Sequence, residues 1–217
     1  MSFSNRLTFK TLYYYHNTIG KLSIMRYHKE HKENTRRRVV HFAAARFRKD
    51  GFDGVGVATL MGDAGLTHGG FYSYFTSKEA LIKEAVETGM DDKLKQTIKA
   101  SRNGGIEAFV REYLRPAHRE HPERGCPAAA IGSEIRRHSR ATRAAFTRLQ
   151  LSAVAHISSL LPKPDEGTAQ AIFSLLVGTL QLARNAPDAK LSDQILKSGE
   201  RAAIKLARSS EHHILNL

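Results

Sequence analysis

The stretch Val57 to Leu81, VATLMGDAGLTHGGFYSYFTSKEAL, constrains this chain more than any other. Val57, Leu60, Met61 and Ala64 recur at the spacing of one helical face. Gly65 follows as a residue that takes positive φ without a Cβ clash, so the first helix stops there. Thr67 stands where an N-cap belongs, and the next helix, His68 to Tyr74, turns the i, i+4 pair Phe71 and Phe75 inward. His68, Gly69, Gly70, Tyr72, Ser73 and Tyr74 are left to face outward. Two short helices across a tight turn, followed by a third helix, have the layout of a helix-turn-helix.

Two adjacent glycines inside a short helix cost about 1 kcal/mol each relative to Ala. Packing alone explains that poorly, so something is expected to approach the backbone closely. A DNA duplex is such a partner: tyrosine hydroxyls donate to phosphates and the His68 edge reaches a base. Thr76-x-x-Glu79 reads as a capping box for the third helix, with Lys78 in its first turn. A cation there opposes the helix dipole, which points to phosphate binding instead. Arg36 and Arg37 crowd the early turns of an upstream helix and draw the same expectation.

These residues resemble the DNA-binding domain of the tetracycline-repressor (TetR) family. The likeness is carried by Ala64-Gly65-Leu66-Thr67, Gly69, Phe71-Tyr72, Tyr74-Phe75 and Ser77-Lys78-Glu79-Ala80-Leu81. Two positions depart from the family pattern: Gly56 stands where Ser or Thr is usual, and Ala58 where a polar residue is frequent. The resemblance implies a homodimer that pairs through its last two long helices, a double-stranded DNA operator and a small-molecule inducer of unknown identity.

Elsewhere the pattern is helical and no strand-like alternation is convincing. The expected fold is all-α: an N-terminal three-helix helix-turn-helix domain linked by a helix to a larger helical ligand-binding and dimerisation domain. Residues 1–24 lack periodicity and caps and read as a disordered extension, with Met25 as the native start. A helix from about Glu33 to Lys49 carries Val40, Ala43, Ala44 and Phe47 on one face, and Phe52 plugs the core beside it. The DNA-binding domain is assigned to 25–87 and the ligand domain to 88–217, divided inside the long helix that starts at Lys78. Further helices are expected at Ile106–Leu114, Pro127 to about Arg137, Arg140–Leu161, Gly167–Arg184 and Leu191–Ala207. Ala171 to Leu180 is apolar nearly all round, which suits half of an isologous four-helix interface or an interior helix of a monomer.

The formal net charge of +13 favours an anionic partner without choosing one. A single cysteine, Cys126, rules out an internal disulfide framework and fits a reducing cytoplasm. No apolar run approaches the ~18 residues of a membrane span. His118-x-x-His121 lies between Pro116 and Pro122 and reads as a solvated loop, so no metal and no cofactor are expected. The sequence contains no Gly-x-Ser-x-Gly elbow, His-Glu-x-x-His or phosphate-binding loop, and so no catalytic residues are assigned and an enzyme is not the expectation. Pro127 at N1 makes Cys126 an N-cap, where a dipole and Arg124 would favour the thiolate; the alternative is a small buried hydrophobe. Ligand sensing is expected between Gly104 and Pro162, with Cys126 lining or gating the pocket.

The sequence thus points to a DNA-binding transcriptional regulator, a repressor released from a palindromic operator by a ligand. The competing reading is a ligand-carrying or dimeric interaction protein of the same fold that does not bind DNA.

Overall fold

Short polar side chains and prolines set most helix starts in the computed structural model, which describes residues 9–101 and 104–209, with side chains for 30–89, 95–99 and 104–209. The helices are α1 (Phe9–Asp50), α2 (Val57–Asp63), α3 (Lys78–Ser101), α4 (Gly105–Tyr113), α5 (Pro116–Glu120), α6 (Pro127–Ile131), α7 (Arg140–Leu160), α8 (Glu166–Asn185) and α9 (Ala189–Ser209). Single 3₁₀ segments occupy His68–Ser73, Pro122–Arg124 and Ile135–Arg137, and no strand occurs among the described residues. Ser139 caps α7 by accepting from Thr142 N–H at 3.1 Å, and Asp165 caps α8 by accepting from Thr168 N–H at 2.6 Å. The chain is all-α.

Three expectations about these elements need correction. Helix α1 does not begin near Glu33; its backbone is already helical at Phe9, so residues 9–24, read as a disordered tail, continue the helix. No proline interrupts that stretch, and a helix once nucleated extends at small cost per residue. Helix α4 does end before Pro116, at Tyr113, but Pro116 then opens α5 at N1, where its missing N–H is harmless, and His118 is buried on that helix, not in a solvated loop. The segment from Pro127 to Arg137 is not one helix. It breaks after Ile131 into a turn, where Glu134 N–H donates to the Ile131 carbonyl at 3.0 Å, and then the 3₁₀ segment Ile135–Arg137; the Glu134 carboxylate holds the α1–α2 connection through Phe52 N–H.

The core is one continuous cluster. At the N-terminal end Val39, Ala43 and Phe47 of α1 pack on Leu60 and Met61 of α2 and on Phe71 and Phe75. At the other end Ile157 of α7, Leu176 and Leu180 of α8, and Ala203 of α9 are fully buried. Helix α3 joins the two ends, packing on α1, α4 and α7. Helices α8 and α9 pack closely because Gly199 lies against Thr179: a Cβ at Gly199 would come within 2.3 Å of that side chain.

Candidate nucleic-acid interface

The outward face expected between Thr67 and Tyr74 is largely present, on a different kind of helix. His68–Ser73 winds as a 3₁₀ segment, not an α-helix, and Thr67 occupies the N-cap position without a side-chain cap bond. Gly65, at φ +69°, makes the turn that separates this segment from α2. Phe71 and Phe75 are stacked with ring centroids 5.5 Å apart and almost wholly buried. That anchors the segment, and it leaves Thr67, His68, Gly69 and Ser73 exposed and Tyr72 at 76%. Tyr74 is half-buried against the core, so it is less available than the other aromatic. Neither Gly69 nor Gly70 has positive φ. A Cβ at Gly69 would meet nothing within 4 Å, and one at Gly70 only ordinary contacts with Thr67 and Met61. Nothing inside the chain therefore requires glycine there.

The cations behave differently from one another. Arg36 donates to the Tyr74 carbonyl at 3.1 Å, pairs with Glu84 of α3, and lies 4.9 Å above the Phe75 ring. It staples α1 to the aromatic segment and is not a free phosphate ligand. Arg37, with its side chain 74% exposed and only a loose 4.0 Å approach to Glu33, points to solvent. Lys78 donates to the Phe52 carbonyl at 2.6 Å, so its ammonium closes the α1–α2 connection. The capping box also reads otherwise in the structure: Ser77, not Thr76, accepts from Ala80 N–H at 3.1 Å. Arg46 ties α1 to α2 by donating to Asp63 at 2.6 and 3.2 Å, and these bonds lower the Asp63 carboxyl below its ordinary value.

Glu79, freed from the capping role, reaches the C-terminal half. It accepts from His138 Nδ1 at 2.8 Å, Ser139 N–H at 3.0 Å and Thr142 Oγ1 at 2.7 Å. Burial raises its carboxyl, yet these bonds outweigh burial and bring it to about 2. Glu134 accepts from Phe52 N–H at 2.9 Å, while the His138 ring packs edge-on against Phe52 at 4.4 Å. Both backbone groups of Phe52 are thus held, one by Glu134 and one by Lys78. Nearby, Arg48 of α1 donates twice to the Glu123 carbonyl, at 2.9 Å through Nε, and its guanidinium lies against Gly89 of α3. Sequence reasoning missed Glu134, His138 and Arg48 as joints, since each partner lies 59 to 86 residues away or belongs to the backbone, and no local spacing marks it.

Cys126 sits at the N-cap position of α6, buried, without a side-chain cap bond. Arg124 does not attend it; that side chain is exposed and approaches Glu123 at 3.9 Å. The Cys126 N–H donates to His118 Nε2 at 2.8 Å, which obliges His118 Nδ1 to carry the proton and donate to the Tyr113 carbonyl at 2.6 Å. The Tyr113 hydroxyl is buried beside Cys126, and its pKa is pushed well up by burial and then by that neighbour. Arg184 of α8 closes the group, donating to the carbonyls of His118, Arg119 and Ala129 at 2.8, 3.2 and 3.1 Å. Among the described residues no group of three His, Cys, Asp or Glu side chains could hold a metal ion, and no helix is long and apolar enough to cross a membrane.

Residues 40–85 match the family of bacterial regulatory proteins, tetR family. Over 86 residues the chain is 29% identical to the uncharacterized HTH-type transcriptional regulator YfiR of Bacillus subtilis (strain 168), a match spanning 40% of this chain and 42% of that protein. Its fold is similar to that of a TetR-family transcriptional regulator from Cytophaga hutchinsonii, with TM-score 0.68 at 19% identity, covering 82% of this chain and 95% of the other. It is also similar to the reduced form of E. coli NemR, with TM-score 0.64 at 19% identity, covering 77% and 96%.

Proposed function

From the premise that this chain belongs, through its helix-turn-helix, to the tetR family of bacterial regulatory proteins, we propose that it is a ligand-responsive transcriptional regulator, a repressor that binds a palindromic operator as a homodimer. The observation that carries the reading is the exposed His68–Ser73 segment: it is anchored from below by Phe71 and Phe75, presents Tyr72 and His68 outward, and bears a glycine that no internal contact explains. In this reading Tyr72, Ser73, Thr67 and Arg37 touch phosphates, His68 reads a base edge, and Gly69 and Gly70 admit the backbone to the groove. Tyr74 contributes less, and Arg36 and Lys78 position the segment from behind.

Pairing is supported by a partly exposed stripe on the last two helices, in which Ala171, Leu182, Leu191 and Ala202 are exposed and Leu175, Gly178, Ile195 and Leu206 half-buried. Ala171, Leu175, Gly178 and Leu182 follow one face of α8, and Leu191, Ile195, Ala202 and Leu206 one face of α9. Leu182 is 62% exposed and Leu191 41%, so the two helices each present a large apolar side chain that a second copy would cover. Residues 25–87 are the DNA-binding unit and 88–217 the ligand and pairing unit, coupled through α3 and the Phe52 joint. A ligand that favours a different spacing of the two recognition segments weakens DNA binding by linkage.

The test is an electrophoretic mobility shift on the DNA flanking the protein's own gene, with a salt titration. Phosphate contacts give a steep fall of affinity with salt. Tyr72→Phe should weaken binding to all sequences alike, whereas His68→Ala should change base preference. Flat salt dependence, or wild-type affinity and preference in both variants, would leave the protein as a ligand carrier or interaction protein of this fold.

A further inference from the structure

Two cavities abut along α8, sharing Ser133, Gly178 and Gln181 in their walls. The first, about 680 Å³, takes Arg48 and Lys49 from the end of α1 and Arg184 from α8, and no carboxylate lines it. The second, about 390 Å³, is lined by Phe146, Phe173 and Val177 with Gln150 and Gln170, and carries no charged residue. Together they make a groove that is cationic at one end and aromatic at the other.

Arg184 gives the cationic end its chemistry. Its guanidinium is partly buried, its pKa is lowered by that burial, and its three hydrogen bonds all go to neutral carbonyls. It makes no ion pair with a carboxylate among the described residues; the Glu123 carboxylate acts on it only at longer range and is taken by His121 at 3.2 Å. A desolvated cation whose direct hydrogen bonds all go to neutral carbonyls gains from an anion beside it. Lys49, exposed and lining the same cavity, supplies a second positive charge. A doubly charged or wholly polar anion would leave the aromatic end unfilled, and an uncharged apolar ligand would leave the cations uncompensated.

We propose that this groove binds an amphipathic monocarboxylate, with its carboxylate between Lys49 and Arg184 and its hydrocarbon part laid along Gly178 toward Phe146 and Phe173. The proposal deepens the ligand-responsive reading above and rests on it. The site lies at the seam of the two units: Arg48 and Lys49 are in the last turn of α1, beside the Arg48 bond to the Glu123 carbonyl, while Gly178 and Leu182 belong to the stripe on α8. A bound carboxylate competes with that carbonyl for the end of α1, which gives it a direct handle on the DNA-binding unit.

The experiment measures binding to the full chain without DNA, by calorimetric titration and thermal shift. The ligands are octanoate, decanoate and 3-phenylpropanoate, each beside its primary amide. The acids should bind about tenfold or more tightly than their amides, as expected for charge-assisted contacts to Lys49 and Arg184. Lys49→Gln, an exposed substitution that the fold tolerates, should erase most of that preference; Arg184→Gln should erase it too, but that variant also loses three structural bonds. Ser133→Leu, in the wall shared by both cavities, should weaken acids and amides together. No binding by any of the three acids, equal binding of acid and amide, or an undiminished preference in Lys49→Gln would overturn the proposal. Operator binding by the ligand-free protein, measured in parallel, reports on the regulator reading separately: it can fail while the groove still binds acids, and the reverse.

Discussion

Replacing Glu79 by glutamine tests the joint between the two units. The Glu79 carboxyl lies at about 2 in the folded chain against an ordinary 4.5, because the bonds from His138, Thr142 and Ser139 outweigh its burial. A folded-state value below the unfolded one contributes stability that is present above pH 4.5 and is lost as pH falls toward about 2. Taken at face value the shift is worth about 3 kcal/mol, since each unit is about 1.4 kcal/mol. The side chain is 38% exposed, however, so solvent screening cuts this to about 1–1.5 kcal/mol. Glu79→Gln should therefore unfold at lower denaturant at pH 7 by that amount, or melt about 3–5 °C lower. Gln keeps the shape and one acceptor, so what is lost is chiefly the charge. The assay is urea unfolding of both proteins from pH 7 to pH 2.5, in which the other carboxylates cancel in the difference. The stability gap should close below pH 4.5. Parallel curves for the two proteins across that window, or equal stability at pH 7, would refute the reasoning.

Arg36 and Arg37 are neighbours with opposite fates. Arg36→Gln removes the Glu84 pair and the Tyr74 carbonyl bond and should cost about 1–2 kcal/mol of stability, while Arg37→Gln should leave stability within ~0.5 kcal/mol and lower the salt slope of operator binding; chemical unfolding and mobility shifts read both. Cys126 is 5% exposed, so a maleimide should label native protein much more slowly than urea-unfolded protein, and Cys126→Ser should keep operator binding; rapid native labelling with release from DNA would instead make the thiol a sensor. Deleting residues 1–24 removes only chain that precedes Thr35, the first buried residue among the described side chains, and should shift the melting temperature by less than about 2 °C. A larger loss would show that the segment packs or binds.

Local chemistry was enough to read the helix-turn-helix. Gly65 takes positive φ, Phe71 and Phe75 point inward, and Tyr72 and His68 point out, because each outcome depends on residues within a turn or two of one another. The order of the long helices α3, α7, α8 and α9 followed from periodicity and from Gly and Pro breaks for the same reason. Side-chain partners followed no such rule. Lys78 and Arg36 look alike as surface cations in sequence, yet both close the back of the motif, and Glu79 left its apparent capping box for a histidine 59 residues away. The Glu134 joint and the buried His118 are equally invisible locally, since Glu134 and His118 are held by the backbones of Phe52 and of Tyr113 and Cys126. A backbone acceptor or donor carries no sequence signature, so which charged side chain satisfies it is decided only when the helices pack and the unsatisfied groups meet.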